Sequence, residues 1–331
     1  MSYNPILTID LNKVDNNIKT LKKNKDVCLI VKANGYGILE DIKPLYDLGY
    51  RFYGVSTIDE ALKITNIYSD IDVLILSPID NDEITKVNKK IILTVSSFND
   101  LNNITNQRFH LAFDTGMGRI GFKKEDIYEI KNKINDNMNF EGIFTHFPKA
   151  YDKVYSNKQI QLFKSIVKEF SEYNLKYIHM QNTLGCLLYD IDFCNLVRPG
   201  IGIWGYVEDI KTNELEPSLE LIAPIIQKKE YNDYLGYDLI EKVNGKVATI
   251  KMGYNDGLIR SLQNYQFKEG VLVGKVCMCQ SMFLLNEKYY DTDKITIIKK
   301  NDSLDNLVKY AKITKYEFLT GLSTRIKKEI K

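Results

Sequence analysis

The chain has 331 residues, with 45 basic and 43 acidic side chains and a formal net charge of +2. A balance so near neutrality provides no electrostatic footprint for nucleic acid or for an anionic membrane surface, which leaves a small-molecule partner as the default. No apolar run approaches the ~18 residues of a membrane span, and the opening MSYNPILTIDLNK lacks a charged segment followed by a long apolar stretch, so a cytoplasmic protein is expected.

A barrel of about 250 residues can form one unit, so the length predicts one barrel plus a smaller domain. From about residue 25 to 200, β-branched and aromatic runs alternate with helical patterns, the sign of repeated βα units around a parallel sheet. The predicted strands are Val27 to Val31, Phe52 to Val55, Val73 to Leu76, Ile91 to Val95, Phe109 to Phe113, Phe140 to Thr145, Tyr177 to Met180 and Leu196 to Arg198. Between them, Ile58 to Ile67, Lys124 to Ile134 and Lys158 to Phe170 repeat apolar residues at intervals of three and four, as amphipathic helices do. The last crossover, Leu184 to Asp190, is short. The prediction is a (β/α)₈ TIM-type barrel over residues 1–220, with an open α/β sheet as the other topology the same strands allow. The first ~10 residues can pack with the second domain.

From residue 221 to 331 a mainly β C-terminal domain is predicted, with strands Leu221 to Ile226, Lys246 to Met252, Val271 to Val276 and Lys294 to Ile298. Asn244-Gly245 and Glu269-Gly270 read as turns. The five cysteines, Cys28, Cys186, Cys194, Cys277 and Cys279, are odd in number and show no CxxC and no matched histidine spacing. Neither a disulfide framework nor a metal site is expected from them, and most read as buried apolar filler.

Polar residues collect where the barrel strands end at their carboxyl side, the edge on which barrel loops carry function. Lys32 follows the first strand, Asp114 and Arg119 the fifth, and His146 the sixth. His179 lies in the seventh with Asn182 and Thr183 just beyond, and Arg198 closes the eighth. One histidine at a strand end is ordinarily a hydrogen-bonded structural residue. All three of the chain's histidines, His110, His146 and His179, lie in or at the end of these strands.

Seven segments in order carry a more specific signal: Val31-Lys32-Ala33-Asn34-Gly35-Tyr36-Gly37, the DTGMGRIGF run from Asp114 to Phe122, GIFTHF from Gly142 to Phe147, Asn182-Thr183, VRPGI from Val197 to Ile201, MGYNDG from Met252 to Gly257, and VGKVCM from Val273 to Met278. Together they resemble the alanine racemase family of fold-type III pyridoxal-phosphate enzymes, whose fold is a barrel followed by a β domain. The resemblance implies pyridoxal 5'-phosphate as cofactor, a small amino acid as substrate, and supply of D-alanine for peptidoglycan. It also implies a homodimer whose sites are shared between subunits.

Residue by residue, the resemblance makes Lys32 the covalent anchor of the cofactor and a base on one face of the substrate. Desolvation at a barrel mouth suits an amine for that work. Racemisation needs a second acid or base on the opposite face. In the family this is a tyrosine of the partner's β domain, which Tyr237 of Gly236-Tyr237 matches best, with Tyr234 as the other candidate. Arg198 matches the arginine facing the pyridine nitrogen, where a fixed cation weakens the ring as an electron sink. His179 matches the histidine holding that arginine, and His146 a histidine beside the ring. Tyr36, Thr183, Gly200 and Ile201 match phosphate contacts, Arg119 a residue near the ring hydroxyl and substrate carboxylate, and Met278 and Tyr254 positions near the substrate contributed by the partner.

The chain also departs from the pattern. Ala112 stands where the family commonly has a carbamylated lysine that orients the arginine matched by Arg119, so an anion such as chloride is expected there instead. Thr324 stands where a tyrosine often narrows the substrate space, which implies room for a substrate such as serine. Ile38-Leu39, Pro148, Tyr151 and Cys279 alter the edges of other blocks. The alternatives are a racemase of another small amino acid, a non-catalytic pyridoxal-phosphate binder and a fold-type III decarboxylase. Pyridoxal-phosphate carriers lack a second domain, and the decarboxylases are longer.

Overall fold

The computed structural model describes residues 3–331 as two sheets. The first sheet is parallel and closes on itself. Its strands are β2 (Asp26–Val27), β3 (Leu29–Ile30), β4 (Phe52–Val55), β5 (Asp72–Ile75), β6 (Ile91–Val95), β7 (Arg108–Ala112), β8 (Asn139–Phe144), β9 (Tyr177–His179) and β10 (Leu196–Val197). β2 and β3 are two halves of one barrel strand interrupted at Cys28. The β2 half pairs with β10 and the β3 half with β4, and the Cys28 and Ile30 amides reach the Val197 and Pro199 carbonyls. Eight barrel positions result, each within a residue or two of the run predicted for it. The β-branched interior explains their regularity: Ile91 to Val95 is buried at every residue, as expected of strands covered on both faces.

Helices alternate with these strands. Ile58–Thr65 starts with a capping box in which Thr57 accepts from the Glu60 amide and the Glu60 carboxylate accepts from the Thr57 amide. Lys153–Glu169 is the long helix after β8, and the short crossover predicted after the seventh barrel strand is the helix Thr183–Leu188, capped by Asn182. Among the described residues no helix is long and apolar enough to cross a membrane.

The second sheet contains β1 (Ile6–Ile9), β11 (Leu219–Leu235), β12 (Glu241–Ile250), β13 (Gly270–Val273), β14 (Ser281–Leu285), β15 (Lys294–Ile298) and β16 (Lys327–Ile330). β1 lies here, antiparallel to the start of β11 and parallel to β16. β11 bends at a bulge between Ile225 and Gln227 and then runs outward as a long hairpin with β12. This corrects one expectation. Asn244-Gly245 is not a turn: Asn244 and Gly245 sit inside β12, opposite Asn232 and Tyr231. The hairpin reverses at Gly236–Ile240, where Gly236, Asp238 and Leu239 all have positive φ. Tyr237 therefore sits at the hairpin tip.

Candidate active site

A cavity of about 380 Å³ opens at the carboxyl ends of the barrel strands, lined among others by Lys32, Tyr36, Arg119, His146, Thr183, Arg198, Gly200 and Ile201. Eight residues singled out in the sequence are thus brought to one space. His179 lies one layer deeper, fully buried beneath Arg198. Tyr237, Tyr254 and Met278 do not line the cavity; they are 65%, 43% and 57% exposed on the other domain.

Lys32 directly follows Val31, whose amide still pairs with Gly54 of β4. The chain then enters a left-handed turn: Ala33, Asn34, Gly35, Tyr36 and Gly37 all have φ between 52° and 77°. For residues other than glycine this conformation costs roughly 1–2 kcal/mol each, so something must hold it. Glu60 does, because its carboxylate accepts from the Ala33 amide at 2.7 Å as well as from the Ser56 amide at 2.8 Å. Glycine is required at Gly37, where a Cβ would come 2.3 Å from the Leu319 carbonyl. The turn sends Lys32 and Tyr36 into the same cavity. Burial lowers the Lys32 pKa and nearby Arg119 lowers it further, while Glu60 opposes them. A more neutral amine is a better nucleophile and base.

Tyr36 reaches across to the loop after β10, its hydroxyl lying where a Cβ on Gly200 would fall, 2.0 Å away. Thr183 Oγ1 accepts from the amides of Gly200 and Gly202 at 3.1 and 3.2 Å, which fixes this loop and leaves the threonine O–H to donate outward. Hydroxyls and backbone are thus gathered at one end of the cavity.

Arg198 occupies the floor. It is 4% exposed, and no carboxylate lies within ion-pair distance among the described residues. Its acceptors are the Thr145 carbonyl at 2.8 Å, His179 Nδ1, and His146 Nδ1 at 3.5 Å. Burial lowers its pKa to about 10, still high enough to keep the charge at neutral pH. The histidines around it are neutral: burial and then Arg198 hold His146 at about 3 and His179 well below its ordinary value.

Arg119 lines the cavity near Lys32 without an ion pair among the described residues. The nearby Asp114 is already engaged, accepting from the amides of Gly116 and Gly118 and from Lys123 Nζ at 2.6 Å. Burial raises the Asp114 pKa, but those hydrogen bonds outweigh it and bring the value down to about 2. Ala112 lines the same wall with a methyl group, so the wall offers Arg119 no anion.

Tyr316 was missed by sequence reading. It lines the cavity from the helix Lys315–Thr320, its ring 6.0 Å from that of Tyr36. One tyrosine among 22 carries no local mark of such a position. Thr324, by contrast, is exposed and does not line the cavity. All five cysteines are free. Cys28, Cys186 and Cys194 are buried, and Cys277 and Cys279 partly so; no group of three or more metal-binding side chains forms among the described residues.

Comparison with known proteins agrees with this geometry. Residues 9–208 match the family "Alanine racemase, N-terminal domain" and residues 219–330 match "Alanine racemase, C-terminal domain". Alanine racemase of Staphylococcus saprophyticus is 32% identical over 97% of this chain and 93% of its own; that of Staphylococcus epidermidis is 33% identical over 94% and 89%. Among solved structures, alanine racemase from E. faecalis superposes with a TM-score of 0.90 at 26% identity, covering 99% of this chain and 98% of that one. The Bartonella henselae enzyme, solved with covalently bound pyridoxal phosphate, shares the fold with a TM-score of 0.86 at 22% identity, over the whole of both chains. The chain belongs to the alanine racemase family.

Proposed function

We propose that the protein is a pyridoxal-phosphate-dependent alanine racemase, interconverting L- and D-alanine by a two-base mechanism shared between two subunits of a homodimer. The observation that carries this reading is the pairing, in one cavity, of a desolvated Lys32 with a buried Arg198 that has no carboxylate partner. The cofactor fits the residues present. Lys32 is the amine that would hold it, Arg198 would face its ring nitrogen, His146 would flank the ring, and Tyr36, Thr183 and the backbone amides of Gly200 and Ile201 would receive its phosphate, the Gly200 amide by turning from Thr183 Oγ1. When bound, the group supplies an electron sink that makes the substrate α-proton acidic.

The residues divide the remaining work. Lys32 takes or returns the α-proton on one face, and the burial that lowers its pKa favours the amine over the ammonium. The opposite face needs a second group. Tyr237 is the candidate, and its place at the exposed tip of the β11/β12 hairpin, away from this chain's own cavity, suits donation into the site of a partner subunit. Tyr254 and Met278, equally outside the cavity, would approach with it, while Arg119 would meet the substrate carboxylate and, lacking a neighbouring anion, would recruit chloride beside it. Arg198, a cation held by neutral acceptors, disfavours a proton on the ring nitrogen and so restrains side reactions.

The deciding experiment incubates the pyridoxal-phosphate-loaded protein with L-alanine in D₂O and follows α-proton exchange with chiral analysis. Exchange with inversion is expected; binding without exchange overturns the reading in favour of a carrier. A second substrate has support of its own. Ala112 and the outlying Thr324 leave the cavity without two side chains that the family commonly uses to define it, and L-serine is expected to undergo the same exchange.

A further inference from the structure

Behind Arg198 lies a chain of hydrogen bonds whose far end is unfinished. Arginine carries only donors, so His179 Nδ1, bonded to Arg198 Nη1, must offer a lone pair. His179 is buried and neutral, and its one proton is therefore on Nε2. That Nε2 lies 2.9 Å from His110 Nδ1, which must then be the acceptor. The proton of His110 is forced onto its own Nε2, and this atom has no hydrogen-bond partner among the described residues. It faces Gly142, where a Cβ would come within 2.8 Å of it, and His110 is wholly buried.

A buried donor without a partner is costly. His110 could escape by moving its proton to Nδ1, but Nδ1–H would then face Nε2–H of His179. Relieving that clash requires His179 to move its own proton to Nδ1, against the arginine. The orphan at His110 and the lone pair presented to Arg198 are thus two ends of one constraint. The stacking of His179 on Phe144, with ring centroids 5.0 Å apart and planes within 6°, fixes the plane of the imidazole.

We infer that His110 is a positioning residue: by accepting the Nε2 proton of His179 it locks the tautomer that holds Arg198 aimed into the cavity. The inference rests on the proposed function only for what Arg198 faces; the tautomer lock belongs to the protein with or without cofactor. Neither His110 nor His179 lines the cavity. Their contribution is to the direction of a buried cation.

Three histidines in the chain make the test tractable, since selective ¹⁵N labelling gives only six ring nitrogens. Protein with and without pyridoxal phosphate would be examined by long-range ¹H–¹⁵N correlation at neutral pH, with assignment from His110→Gln and His146→Asn. Protonated Nε2 and bare Nδ1 in both His179 and His110 is expected; a proton on His179 Nδ1, or double protonation of either ring, overturns the inference.

The variants then test the consequence. His110→Phe keeps bulk and loses the acceptor, whereas the amide oxygen of His110→Gln can still accept. His110→Phe is expected to lower kcat about tenfold with little change in KM and to shift the pH dependence of the bound-cofactor absorbance, and His110→Gln to restore most of both. A Phe variant like wild type, or a Gln variant no better than Phe, overturns it. Failure of wild type to take up pyridoxal phosphate or exchange the α-proton would instead defeat the proposed function, with the tautomer result standing independently.

Discussion

The barrel mouth and the β11/β12 hairpin tip both carry residues matched to one chemistry, yet they are built in opposite ways. At the mouth, Lys32, Arg198 and His179 are withdrawn from water and their orientations are fixed by strand ends, the Glu60 clamp and the buried imidazole chain. At the tip, Tyr237, Leu239 and Ile240 are 65%, 61% and 46% exposed, in a turn tied back through Asp238 to Lys275. A folded chain thus presents one preorganised cavity and one exposed apolar, aromatic tip, the two parts that the proposed shared site requires. Burial sets pKa values and geometry at the mouth, and exposure leaves the tip without that constraint.

The largest expected effect would break that division outright. Lys32→Ala and Tyr237→Phe are each expected to lower alanine racemisation by about 10²–10⁴-fold. When the two inactive proteins are mixed and allowed to exchange subunits, activity should reappear, because a hybrid dimer unites an intact Lys32 with an intact Tyr237 in one site. Absence of recovery, with mixed dimers demonstrated by mass spectrometry, would place both residues in one subunit's site.

A smaller effect concerns substrate choice, tested from a residue outside the cavity. Thr324→Tyr should reduce kcat/KM for serine relative to alanine by about tenfold, the scale of a single steric exclusion. An unchanged ratio would remove Thr324 from the specificity argument.

Next in size is a pH effect from the preorganised half. Because burial lowers the Lys32 pKa, the folded cofactor-free chain holds that proton less tightly than the unfolded chain does. The charged lysine therefore opposes folding at neutral pH and ceases to do so above its ordinary value of about 10.4. Lys32→Met is expected to raise the Tm of the cofactor-free protein at pH 7, with the gain shrinking as the pH approaches 10. A gain independent of pH would point to packing alone.

The smallest effects belong to the turn after Lys32. Ala33→Gly should stabilise by up to ~1 kcal/mol by relieving a left-handed alanine, and Glu60→Gln should destabilise by about the same amount by weakening the charged acceptor for the Ala33 and Ser56 amides. Denaturant titration distinguishes the two signs.

Much of the barrel was legible because fully buried parallel strands write themselves as unbroken β-branched runs, and its polar residues because they fall where those runs end. The hairpin was less legible. Asn-Gly is a strong turn signal, but here Gly245 has φ 139° inside a paired strand, while the true turn places Asp238 and Leu239 at positive φ, a choice no propensity would make for leucine. Tertiary contacts decided the matter. The left-handed turn at Ala33–Gly37 was hidden for the same reason, since its support comes from Glu60, far along the chain. Of the three histidines, only His146 lines the cavity; spacing placed all of them at strand ends but could not separate a lining residue from the two stacked beneath it.

The first strand of the chain has a consequence for how the molecule can be divided. β1 lies between β11 and β16, and the Leu11 and Lys331 amides stitch it to Lys331 and Ile9. The barrel is accordingly a guest inserted into a host sheet, whose strand β1 (Ile6–Ile9) precedes both of its neighbours, β11 (Leu219–Leu235) and β16 (Lys327–Ile330), by the whole length of the barrel. A fragment starting at Leu219 would lack that strand and leave β11 and β16 with facing unpaired edges, a template for aggregation. Excising the barrel and joining β1 to β11 through a short linker would keep the host whole, so the second domain is genetically separable only together with residues that precede the first.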